Sequence, residues 1–218
     1  MRRLVTPFAI LVACFAALTA AAQQTAKEPA KINARPTPTP AAKKEPFDGA
    51  DAAKMAAQCV TLETEAGAIV LEMYPEQAPE SVRNFLNLAA TGLLDTTTFS
   101  RVVPSFVIQG GDLYSREGKV TAEIGMRARK AVPDEPNKIL HERGVISMAR
   151  GDEPNTATTH FFILVSDAPS LDGKFAAFGR VTKGMEIVDA INKASVTAEK
   201  PDKPVRIKKA AVAPCAAK

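Results

Sequence analysis

Short extended runs punctuated by turn residues recur from Cys59 to Val212, and a chain written this way has few folds open to it. Cys59-Val60-Thr61-Leu62-Glu63-Thr64 alternates small or apolar with polar residues. Glu65-Ala66-Gly67 makes a turn and Ile69-Val70-Leu71-Glu72-Met73-Tyr74 resumes the extended pattern, which predicts a hairpin. Further extended runs occupy residues 99–103, 106–109, 145–149, 161–165, 175–181 and 205–212, with Gly110-Gly111-Asp112 and Asp172-Gly173 among the breaks. Two stretches carry helical spacing instead. In residues 79–91, Val82, Phe85, Leu86 and Ala89 share one face, Pro79 sits at the tolerated first turn and Gly92 terminates. In residues 185–191, Met185, Val188 and Ile191 recur every third position. Many short strands with two helices predict a mostly β fold, a closed or nearly closed antiparallel barrel capped by the helices.

Ahead of this pattern the composition changes twice. Met1-Arg2-Arg3, an apolar run from Leu4 to Ala22 and then Gln23-Gln24 follow the charged, apolar, small-residue order of a secretory signal peptide, with Ala20-Ala21-Ala22 at the cleavage position. Within that run Leu11-Val12-Ala13-Cys14 also resembles a lipoprotein processing box, whose use would leave a lipid anchor on Cys14. Residues 23–57 turn to Ala, Pro, Lys and Thr, with Pro36, Pro38 and Pro40 on alternate positions. Such a segment buries little apolar surface and reads as a disordered, semi-rigid linker. The folded domain is expected over 58–218, exported, with a bacterial periplasm as the favoured compartment and a membrane-anchored lipoprotein as the alternative.

Export bears on the cysteines. Cys59 opens the first predicted strand and Cys215 follows the last. If barrel closure makes those strands antiparallel neighbours, the two thiols meet, and an oxidising compartment lets a disulfide persist; two free thiols are the other reading. The formal net charge is +4, two of which, Arg2 and Arg3, belong to the leader. The densest basic stretch, Arg127, Arg129 and Lys130, lacks interleaved aromatics, so no nucleic-acid partner is expected. The histidines are His141 and His160, and no Cys-x-x-Cys or His-x-x-x-His spacing occurs, so neither a metal nor a cofactor is expected.

Two blocks carry the functional signal. One is Phe99-Ser100-Arg101-Val102-Val103-Pro104-Ser105-Phe106-Val107-Ile108-Gln109-Gly110-Gly111-Asp112. The other is Gly144-Val145-Ile146-Ser147-Met148-Ala149-Arg150, continuing to His160-Phe161-Phe162-Ile163. With Leu171-Asp172-Gly173-Lys174 and Phe178-Gly179-Arg180-Val181 at similar spacing, they closely resemble the cyclophilin family of peptidyl-prolyl cis/trans isomerases over roughly residues 60–212. The resemblance implies an eight-stranded antiparallel barrel closed by two helices, with a proline-containing peptide lying in an outer groove. It assigns Arg101 as the catalytic arginine, Phe106 as the aromatic beside it and Gln109 as a ligand of the substrate backbone. It places Val107, Ala149, the main chain of Arg150 and His160 along the groove, and Phe162 and Leu171 at the floor and wall of the proline pocket. Proline-containing peptides and unfolded exported proteins are the expected partners, and a monomer is the expected form.

The residue types suit the reaction. Rotation about an amide crosses a barrier of about 18 to 20 kcal/mol because conjugation is lost at the twist, yet no bond breaks. Catalysis then requires only a site that binds the twisted form better than either planar one. At the twist the prolyl nitrogen regains its lone pair, and a permanently charged guanidinium aimed at it strengthens only there. Taken singly, Arg101 would read as a surface ion-pair partner, Phe106 and Phe162 as core aromatics and Gln109 as a turn cap. A peptide-binding holdase on the same fold is the competing function.

The chain also departs from the family. Ser100 stands where many members have His, His160 where they have Gln, Ser170 where the better-known members have Trp, and Phe175 where His is frequent. Without that Trp, weak binding of cyclosporin is expected.

Overall fold

Alternation decides how the strands face. In a computed structural model that describes residues 44–216, β1 (Gln58–Thr64) and β2 (Gly67–Met73) turn Val60, Leu62, Ile69, Leu71 and Met73 inward. Two strands nearer the site, β5 (Val145–Met148) and β6 (Phe161–Leu164), are buried on both faces and read as unbroken apolar runs. With β3 (Arg101–Val103), β4 (Val107–Gly110), β7 (Ala177–Lys183) and β10 (Ile207–Pro214) they make one antiparallel sheet in the order β10-β1-β2-β7-β5-β6-β4-β3. A separate two-residue hairpin pairs β8 (Val196–Thr197) with β9 (Lys200–Pro201); no hydrophobic pattern announced it.

The expected closure of the barrel does not occur by strand pairing, because β3 and β10 are the two edges of the sheet. β3 is three residues long, and the chain entering it, with Thr96 at φ 62°, is irregular and meets the chain before β10 only through an isolated bridge. The sheet curls into an open half-barrel whose seam is stitched by the isolated bridge Thr98–Arg206. Backbone bonds from Thr96 N to Ile207 O (2.8 Å), Ile207 N to Thr97 O (2.8 Å) and Phe99 N to Val205 O (2.9 Å) complete the seam.

Helix α2 (Pro79–Ala90) packs Phe85 against Phe161 and Phe178, both ring centroids at 5.2 Å, and so plugs the barrel interior. Its first turn is capped from a distant loop: Glu135 accepts from the backbone N–H groups of Glu80 and Ser81 at 2.9 and 2.8 Å. Helix α4 (Met185–Asn192) buries Val188 and Ile191. Its terminal Asn192 reaches the β3–β4 turn, donating to Val103 O and Val107 O and accepting from Ser105 N, which fixes the loop that carries Phe106. The expectation of two helices is short by two: α1 (Ala52–Ala56) and α3 (Ala122–Arg127) are single turns. Each is too brief to show a helical period and each starts at a side-chain cap, Asp51 and Thr121. None of the helices among the described residues is long and apolar enough to cross a membrane.

The boundary at residue 58 is also corrected. Residues 44–57, placed in the linker by composition, are ordered against the domain: Met55 is fully buried, Phe47 nearly so, and Phe47 N donates to Asn87 Oδ1 at 2.8 Å. Arg83 ties the segment down through Phe47 O and Ala50 O, at 2.8 and 2.7 Å. Two apolar side chains in an Ala-rich stretch suffice because the receiving surface already exists. The expected signal peptide over residues 1–22, with Cys14, and the expected linker over residues 23–43 lie outside the described residues.

Cys59 and Cys215 are disulfide-bonded, Cα atoms 4.9 Å apart, where β1 and β10 run antiparallel. The free-thiol reading falls. Closing a loop of this sequence separation, 156 residues, contributes about 2 to 4 kcal/mol.

Candidate active site

Strand register builds the site. Arg101 lies opposite Gln109 in the β3–β4 ladder, and Gln109 lies opposite Phe162 in the β4–β6 ladder. Three side chains far apart in sequence are thereby set in a row across the sheet. Around that row is a groove of about 160 Å³ lined by Arg101, Phe106, Val107, Gln109, Ala149, Arg150, Phe162, Leu171 and Phe175. Beneath it runs a second apolar cluster, separate from the barrel core, in which Val107, Phe162 and Leu164 pack with Phe106, Leu171 and Phe175. The groove is therefore an apolar socket flanked by two guanidinium groups, those of Arg101 and Arg150.

Arg101 is held from two directions. Its Nη1 donates to Gln109 Oε1 at 3.1 Å and its Nε to Glu199 Oε2 at 2.8 Å, while its side chain stays 42% exposed. Arg150 runs along the groove: Nη1 donates to Gly151 O and Asp152 O at 2.8 and 3.1 Å, and Cζ lies 5.0 Å from the centre of the Phe175 ring. Its Nε sits 3.4 Å from Asp134 Oδ2 without the alignment of a hydrogen bond. Phe175 meets Phe162 edge to face, centroids 6.0 Å apart.

Below the groove floor is a buried polar network. Ser147, opposite Phe162 in register, shares a hydrogen bond with His141 Nε2 at 3.0 Å, and Asp172 Oδ1 lies 2.7 Å from His141 N and 3.1 Å from His141 Nδ1. Burial holds the His141 pKa below its ordinary value, with the Asp172 carboxylate working against that shift. The His141 backbone N–H in turn lowers the Asp172 carboxyl. Although serine, histidine and aspartate stand in line, Ser147 is fully buried and opens on no substrate. The network anchors the loop carrying Leu171 to β5.

The groove gathers every residue expected of it except His160. That residue precedes β6, where the chain crosses Gly111. Gly111 has φ 87°, and a Cβ there would stand 2.2 Å from Thr159 O. The His160 carbonyl accepts from Ala149 N at 3.0 Å, beside the groove segment. Burial lowers its pKa, opposed by Asp112. Phe175, noted in the sequence only as a departure, is a wall of the groove. Glu199, Asn192 and the His141 network carried no signal, because each meets its partner only through the folded sheet. Among the described residues no group of three or more His, Cys, Asp or Glu is placed to hold a metal ion.

The sequence pattern of the family described as "Cyclophilin type peptidyl-prolyl cis-trans isomerase/CLD" matches residues 59–212. A peptidyl-prolyl cis-trans isomerase of Arabidopsis thaliana is 39% identical over 148 residues, 67% of this chain and 86% of the relative. One of Helicobacter pylori is 38% identical over 138 residues, 62% of this chain and 81% of the relative. Among solved structures, a cyclophilin-type isomerase of Cryptosporidium parvum, crystallised in the presence of the dipeptide Ala-Pro, superposes with a TM-score of 0.62 at 31% identity. It covers 71% of this chain and 98% of that one. On the strength of the matched pattern and these relatives, the chain belongs to the cyclophilin-type peptidyl-prolyl cis-trans isomerase family.

Proposed function

We propose that this isomerase accelerates X-Pro rotation in exported, partly folded proteins, with the guanidinium of Arg101 as the group that stabilises the twisted amide. One observation carries the reading: the positive side chain and the apolar socket line the same groove. In this mechanism Phe106, Phe162 and Leu171 hold the prolyl ring. Gln109 and the main chain at Ala149 and Arg150 keep the peptide backbone in register while the residue before proline rotates. The Arg101 fork donates to the prolyl nitrogen as its lone pair becomes available. The dry socket raises the worth of that bond by excluding water.

Recognition centres on the ring and the backbone, so the substrate range is broad. The exported setting is supported by the leader pattern of residues 1–22 and by the Cys59–Cys215 disulfide. The mass of the mature protein from its host tests that part. Loss of residues 1–22 supports it, a lipid on Cys14 gives the anchored form, and an intact Met1 excludes both.

The catalytic assignment is tested by comparing Arg101→Ala with the parent in a prolyl-peptide isomerisation assay and in peptide binding. Turnover should collapse while binding persists. Unchanged turnover would leave the groove as a peptide holdase and remove Arg101 from the chemistry.

A further inference from the structure

Glu199 sits 98 positions from Arg101 in sequence and in direct contact with it. It occupies the turn of the β8–β9 hairpin, where Val196 pairs with Pro201 and Thr197 with Lys200, leaving Ala198 and Glu199 as a two-residue loop. Both loop residues have positive φ, 49° and 64°. A two-residue loop with both φ values positive is the form that Asn-Gly fills readily and that residues with a Cβ fill only against steric resistance. The loop is kept in place from outside: Val102 N in β3 donates to Glu199 O at 2.8 Å, and Thr197 Oγ1 donates to Asp202 Oδ1 at 3.1 Å. Strain that the surroundings hold in place, at the rim of a site, points to a use for the side chain it presents.

We propose that Glu199 is a positioning residue for the isomerase reaction: its carboxylate, carried on this strained turn, fixes the plane of the Arg101 guanidinium. The inference rests on Arg101 being the reacting donor and deepens that assignment. Stability does not account for the contact, since both side chains are roughly half exposed, at 42% and 49%, and an exposed ion pair contributes little to folding. Its geometry suits orientation. Glu199 takes Nε while Gln109 takes Nη1, so two different nitrogens of one planar group are pinned and rotation about the side chain is blocked. The carboxylate does not form the bidentate pair that would consume the terminal donors, and the rest of the fork is left to the groove. A catalytic group gains its advantage only when held within about 0.5 Å of its productive position.

The test measures kcat, KM and Tm with a prolyl tetrapeptide for the parent, Glu199→Ala, Glu199→Gln, Glu199→Gly and Arg101→Ala. Glu199→Ala should lower kcat by about five- to tenfold with KM within about twofold. Glu199→Gln, which still offers an oxygen to Nε, should recover most of the loss. Glu199→Gly, relieved of a Cβ at positive φ, should melt at the parent's temperature or above while turning over as poorly as the alanine variant. Parental kcat in the alanine or glycine variant overturns the proposal. So does a glutamine variant as slow as the alanine one, or a fall in Tm that tracks kcat across all three. Parental turnover in Arg101→Ala fails the underlying assignment instead, and is read separately from the Glu199 series.

Discussion

Arg101 and Gln109 stand directly opposite one another in the β3–β4 ladder, and the guanidinium Nη1 donates to the Gln109 amide oxygen at 3.1 Å. Gln109 therefore does two jobs in the proposed mechanism: it steadies the arginine and it offers its amide to the peptide. Truncating Arg101 to alanine should lower kcat/KM by about 100- to 1,000-fold, the cost of removing one preorganised donor to a developing acceptor. Arg101→Lys should recover little, because a single ammonium cannot span Gln109 and Glu199 while also reaching the prolyl nitrogen. Gln109→Ala should give an intermediate loss divided between kcat and KM. The isomerisation assay at fixed ionic strength reads all three, and a lysine variant at parental rate would contradict the planar-fork argument.

The wall formed by Phe175 sets a second expectation. Its ring meets Phe162 edge to face and is covered by Arg150, so it extends the apolar socket beyond the prolyl ring. Phe175→Ala should raise KM severalfold with kcat little changed, since a wall contacts ground state and transition state alike. The exposed Ser170, one residue before Leu171, supplies no apolar contact and no indole donor. Ser170→Trp should tighten inhibition by cyclosporin, measured as the inhibitor concentration halving turnover; an unchanged value would mean that another departure governs drug binding.

Residues 44–57 precede the stretch matched by the family, 59–212, yet Phe47 and Met55 belong to the main core. Phe47→Ala should lower unfolding stability by about 3 kcal/mol, the usual cost of emptying a buried phenylalanine site. Because the groove stands on the other apolar cluster, kcat should hold. Urea unfolding followed alongside turnover separates the two effects, and parental stability in the variant would show that the segment merely rests on the surface.

The sequence was informative where chemistry is local. Alternation and turn residues located the eight strands of the sheet to within a few positions, and two amphipathic helices announced themselves by period. The groove residues, Arg101 to Gln109 in one block and Ala149 to Phe162 in the next, were legible because the motifs keep them on or beside neighbouring strands. What remained hidden depends on tertiary contact. The 44–57 segment is Ala-rich and gains order only from the surface it lands on. The open seam lies where Thr96 enters the left-handed region, a backbone irregularity that no hydrophobic pattern encodes. His160 looked like a groove residue by position, but it is not among the residues that line the groove. Glu199 reaches Arg101 through a hairpin too short to show a strand period.

Both histidines hold a proton less readily than a free imidazole. Burial is the larger cause in each, opposed by Asp172 at His141 and by Asp112 at His160. An unfolded-chain histidine titrates near about 6.5, so between that value and the lower folded-state values the unfolded chain binds more protons than the native one. The stability from keeping these rings neutral is thus complete above about pH 6.5 and is lost as pH falls through the window below it. The carboxyls of Asp48, Asp172 and Asp189 are held below their ordinary range, by the backbone N–H of Glu45, the backbone N–H of His141 and the Arg143 guanidinium respectively. Their contributions persist through that window and are lost only below about pH 3.9, so they do not obscure the histidine effect. The urea midpoint should therefore fall between pH 7.5 and pH 5.5. His160→Gln should shrink that fall by removing one of the two titrating rings, leaving the His141 part. A midpoint equally high at both pH values would mean that neither ring is kept neutral by the fold.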